Sequence, residues 1–168
     1  MTDAVRNVLA VISVDDVLQK HGVNNSVDEA VMLDADCMGT FAANVSGYLA
    51  PLPPASVSSV TSAKWVLWRA TSLTFNAKYH CLITGVSVED TANCFVSQPV
   101  MQWIDRPTPL VTLVETAVQP EIRTQTETVW AAEIKGAGNV KYEMSVKVLD
   151  HHGNLQGYYR LQSTLAVN

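Results

Sequence analysis

Charge is what this sequence has least of. Asp, Glu, Lys and Arg make up 16% of its 168 residues, against roughly 25% in an ordinary soluble domain. The net charge is −5, and the basic residues are scattered without a run. That excludes the concentrated basic face demanded by nucleic acids and by anionic membranes. The three cysteines, Cys37, Cys81 and Cys94, are odd in number and never spaced Cys-x-x-Cys. A disulfide framework and a zinc site are therefore not expected, and buried free thiols in a reducing compartment are. No stretch approaches the roughly 18 consecutive apolar residues of a membrane span. The run Val8–Val14 is short, lies between Arg6 and Asp15, and has no small-x-small cleavage site, so the expected compartment is the cytoplasm.

Catalytic and cofactor signatures are also missing. There is no Gly-x-Ser-x-Gly, and Gly136-Ala137-Gly138 lacks the third glycine of a phosphate cradle. Asp34-Ala35-Asp36-Cys37-Met38-Gly39 resembles the start of a calcium loop. Its fifth and twelfth positions, which must supply oxygen, are Met38 and Val45. Asp150-His151-His152-Gly153-Asn154 gathers two imidazoles, but neighbours on an extended chain point to opposite faces, and Gly-Asn is turn chemistry. No catalytic residue, cofactor or metal is expected.

What remains is β structure. A chain of this length buries enough core to stand without staples, and a single domain over 1–168 is expected. VLAVISV at 8–14 has the length and composition of a strand covered on both faces. DDVLQKH, closed by Gly22, predicts one or two helical turns, and Ser26 with Glu29 has the spacing of a capping box. The proline- and serine-rich stretch 48–63 reads as an irregular connection or an edge. Strands follow at 64–70 and 78–88. QPVMQWIDRPTP reads as a proline-punctuated segment leading into a strand at 110–117. From Thr126 to Lys135 another strand precedes a GAGN turn. Beyond it Val140, Tyr142, Met144, Val146 and Val148 alternate with Lys141, Glu143, Ser145 and Lys147, the period of two of a half-buried strand. A DHHGN turn and a last strand, GYYRLQSTLAV, complete the pattern. Roughly eight strands with little helix predict an all-β, antiparallel two-sheet sandwich.

The stretch KWVLWRATSL at 64–73 looks at first like an aromatic and cationic platform. On a strand, however, Trp65, Leu67 and Arg69 point one way and Val66, Trp68 and Ala70 the other. Trp68 belongs in the core, while Trp65 is free to meet a ligand, a partner or a loop.

Three segments resemble the PixA/AidA family of bacterial inclusion body proteins. VLAVISVDDVL at 8–18 is similar to the family's opening strand, and KWVLWRATSL to its central strand with the tryptophan, arginine and serine-leucine pattern. Residues 129–167 are similar to its ending, through Gly157-Tyr158-Tyr159. Where the family then usually shows tryptophan, aspartate and proline, this chain has Leu161, Gln162 and Ser163. The resemblance implies an immunoglobulin-like β-sandwich made in the bacterial cytoplasm, often abundantly and under population-density or phase control, and able to collect in inclusions. No catalytic activity or cofactor comes with it. The chain is accordingly expected to be a non-enzymatic protein whose partner is itself, as a homodimer or higher assembly. The alternative expectation is a carbohydrate-binding module. Trp65, Trp103 and Tyr159 are the candidate ligand or interface residues for either reading.

Overall fold

A computed structural model describes residues 5–43, 49–52, 64–74, 78–114 and 117–167. Within them the chain forms β1 (Val5–Ile12), α1 (Val14–His21), β2 (Val31–Met32), β3 (Met38–Ala43), β4 (Leu49–Leu52) and β5 (Trp65–Ser72). It continues through β6 (Tyr79–Glu89), β7 (Val100–Val114), β8 (Ala117–Glu133), β9 (Gly138–Asp150) and β10 (Leu155–Val167). The helix ends as its sequence demands. Gly22 takes φ +70°, and its N–H donates to the Leu18 carbonyl at 2.9 Å, a conformation that a Cβ would oppose. The Ser26 hydroxyl accepts the Glu29 N–H at 3.3 Å, yet the segment stays a turn and no helix follows.

The strands make two sheets. One runs β4-β3-β1-β5-β8-β7 and the other β2-β10-β9-β6. Most pairings are antiparallel, but β1 pairs β5 in parallel, as β2 does β10. Parallel neighbours need a long return path, and the chain between β1 and β5 is taken up by α1, β2, β3 and β4. The two sheets pack face to face around one apolar core that holds Val8, Ala10 and Ile12 of β1, Val66 and Trp68 of β5, and Val140, Tyr142, Met144, Val146 and Val148 of β9. The Trp68 ring lies 5.9 Å from Phe95 and 6.0 Å from Tyr142, between centroids. The all-β two-sheet sandwich is the expected one, except that both sheets are mixed rather than purely antiparallel, and its two layers are compatible with an immunoglobulin-like architecture.

Two strands are longer than the sequence pattern suggests. β7 runs unbroken through Pro107 and Pro109, and β8 begins at Ala117 rather than Thr126. The two form a hairpin in continuous register from Val100↔Ala131 to Val114↔Ala117. β8, by contrast, pairs β5 only from Trp65↔Glu133 to Trp68↔Trp130. Beyond Trp130 the hairpin is therefore a two-stranded ribbon with no third strand beside it among the described residues. With one apolar residue in seven, IRTQTET does not read as a half-buried strand, although its β-branched residues alternate. Most of the proline- and serine-rich stretch, at 53–63, lies outside the described residues.

Candidate functional site

The place where the ribbon leaves the sandwich is the most distinctive surface of the molecule. Two side chains clamp its root. The Trp130 indole N–H donates to the Ile83 carbonyl on the opposite sheet at 3.2 Å. Arg69, the first β5 residue past the shared pairing, donates from Nε to Glu127 at 2.6 Å and from Nη1 to the Asn7 side-chain oxygen. Glu127 also lies 3.6 Å from Arg106. Arg69 and Glu127 are mostly shielded from water, so the ion pair has a stronger field than one on an open surface.

Alternation divides the ribbon into two unlike faces. On the side turned away from the second sheet, Leu67, Val129 and Ala131 form a small buried cluster, with Trp65 and Ile104 packed against it. On the other side lie Met101, Trp103, Asp105 and Pro107 of β7, opposite Trp130, Thr128, Thr126 and Thr124 of β8, followed by Ile122. Only Trp130 of these is tied to the sandwich by a hydrogen bond. Trp103 is 74% exposed and Ile122 73%, extreme values for residues of their kind. At the root, the same face opens into a crevice of about 600 Å³ lined by Ala70, Cys81, Leu82, Ile83 and Met101, with Arg69 and Lys147 among its polar residues.

The three aromatics singled out from the sequence therefore do not meet. Trp65 is half-buried by its own chain in the outer cluster. Trp103 stands on the opposite face of the ribbon. Tyr159 is fully buried, and its hydroxyl donates to the Gly22 carbonyl at 3.0 Å, so it presents nothing to a ligand or a partner. Ile122 and Met101 escaped notice because each is a lone apolar residue in polar or proline-broken sequence. Arg69 was placed on the Trp65 face, but only the fold brings it to Glu127.

The other sequence clusters take structural roles. Asp34 pairs with Lys20 at 2.6 Å, which holds the Asp34 carboxyl below its usual range. Asp150 accepts the backbone N–H groups of His152 and Asn154 at 2.8 Å each, closing the hairpin tip. Among the described residues, no three His, Cys, Asp or Glu side chains are placed to hold a metal ion. Burial raises all three thiol pKa values, that of Cys81 to about 12, so each is protonated and unreactive at neutral pH. A second depression, of about 520 Å³, is polar and involves Ser87, Glu89, Lys141, Glu143 and Gln162. Gln162, in the segment that departs from the family pattern, donates there to Glu143 at 2.8 Å.

Fold and surface together define an all-β sandwich with a projecting ribbon. A family model described as PixA, inclusion body protein, matches residues 55–167. The chain belongs to this family of inclusion body proteins. It is similar throughout its length to the crystal structure of an inclusion body protein (PixA) from Burkholderia cenocepacia J2315, with a TM-score of 0.73 and 16% identity over 100% of this chain and 98% of that one. At that identity the likeness speaks for the fold. No curated protein matches. No helix among the described residues is long and apolar enough to cross a membrane.

Proposed function

We propose that this chain is a single-domain, non-enzymatic protein of the bacterial cytoplasm that associates with itself, first as a homodimer, and accumulates in that form. Membership of an inclusion body protein family supports accumulation. The observation that carries self-association is the ribbon face, where Trp103 and Ile122 stand mostly in water on an element with no third strand beside it among the described residues. Burying such side chains gains about 25 cal/mol per Å² of apolar surface. Few charges oppose association, at 16% of residues.

Sedimentation velocity over the micromolar range tests this reading. A concentration-dependent shift from one chain to two is expected. A strict monomer that stays dispersed at the highest concentrations would overturn it.

A further inference from the structure

We infer that the surface joining two copies is the Trp103 face of the ribbon, each copy laying that face on the other so that Trp103 enters the crevice at its partner's ribbon root. This rests on the proposed self-association and specifies its surface.

The ribbon needs a cover. Two-stranded hairpins are marginal in water without a third strand or a packed face. Beyond Trp130 this one continues to Val114↔Ala117 with no third strand among the described residues.

Its edges are poorly suited to recruiting another strand. Pro107 pairs Thr124, Pro109 pairs Ile122, and Pro120 pairs Val111. These are successive alternate pairs, so all belong to one class of the antiparallel ladder. A proline in the hydrogen-bonded class would remove a rung, so these pairs are of the class whose donors and acceptors point away from the ribbon. The outer edges thus lack donors at 107, 109 and 120, the usual protection against edge-to-edge growth. Association has to use a face.

Of the two faces, the one carrying Trp65 and Ile104 is already packed on Leu67, Val129 and Ala131. The opposite face leaves Met101, Trp103 and Ile122 uncovered, and it runs into the crevice through Met101 and the half-exposed Leu82. The surface is self-complementary. An indole fits a crevice of about 600 Å³ with walls from Ala70, Leu82 and Ile83. The ribbon face carries one carboxylate, Asp105, and in the crevice, where Arg69 and Glu127 are already paired with each other, Lys147 is the cation left to meet it. A two-fold axis repeats both contacts, as an isologous dimer requires. The part of the ribbon at 101–108 and 122–129 is about 25 Å long and about 10 Å wide. One such face from each copy, with an equal counter-surface, removes about 1,000 Å² from water, the size at which a specific interface begins.

The test compares wild type, a Trp103→Thr/Ile122→Thr double variant and a Val23→Thr/Leu73→Thr control by sedimentation velocity, with circular dichroism to check folding. Threonine keeps the β preference of the exposed strand positions, and Val23 and Leu73 are exposed elsewhere. The ribbon variant is expected to weaken the dimer by roughly thirtyfold or more, as removal of a central aromatic anchor does. The control is expected to leave the dimer unchanged. A dimer unaffected by the ribbon variant, or equally weakened by the control, overturns this inference and leaves self-association standing. A monomeric wild type overturns both. Hydrogen exchange on the wild type gives an answer even if the variant fails to fold. Protection of 101–107 and 122–128 is expected to rise with protein concentration, and its constancy would refute the proposal.

Discussion

Two tryptophans with similar sequence surroundings have opposite fates. Trp68 shares its face of β5 with Val66 and Ala70, and that face is turned into the space between the sheets. There it meets Tyr142 edge-on, the geometry that aromatic quadrupoles favour, and Phe95 at a tilt. Trp103 lies between Gln102 and Ile104 on a strand of the same chemical character, yet it is 74% exposed. Trp68→Ala is expected to cost about 3–5 kcal/mol in a urea titration, the range for a fully buried aromatic. A loss below about 1 kcal/mol would mean that the packing around Trp68 contributes little. Alternation made the Trp65 and Trp68 faces legible from seven residues. It said nothing of Trp103, because a period identifies a face without saying what stands opposite it.

At the scale of elements, the ribbon and its root depend on contacts between distant parts of the chain. β7 and β8 hold each other along their length, whereas their attachment to the sandwich is confined to the root, where four paired positions with β5, backbone bonds from Val96 to Glu133 and from Ile134 to Lys64, the Trp130 hydrogen bond and the Arg69–Glu127 pair contribute. A double-mutant cycle of Arg69→Ala and Glu127→Ala, followed by chemical denaturation, is expected to give a coupling of about 1 kcal/mol, the upper end of the range for exposed pairs, because this one is partly shielded. Additive single effects would show that the pair does not anchor the ribbon. The strands of the carboxyl-terminal third could be read directly, since β9, and β10 over 157–161, alternate buried and less buried residues. β7 could not, because prolines normally signal a break. Here they are tolerated because β7 is the edge of its sheet and their missing donors face outward.

For the whole molecule, low charge content is the property with the widest reach. With a net charge of −5 at neutral pH and an isoelectric point near 5.2, the remaining repulsion between copies fades as the pH falls. Light scattering at constant protein concentration is expected to rise from pH 7 to about pH 5.2 and to fall again below it, following net charge. A profile flat across this range would mean that charge does not limit assembly. Moderate salt is expected to change the scattering little at pH 5.2, where no net repulsion remains to be screened.

The sequence by itself determined the class of fold, the burial of Trp68 and the family. Each follows from local information: a period of two, a run of β-branched residues, and segments in a recognisable order. Only the tertiary structure decided that β1 and β5 lie side by side in parallel, that Tyr159 is sealed in the core, and that β7 and β8 outrun the sheet. Those outcomes depend on which strands become neighbours, and strand neighbourhood is set by the packing of residues far apart in the chain rather than by any pattern within one segment.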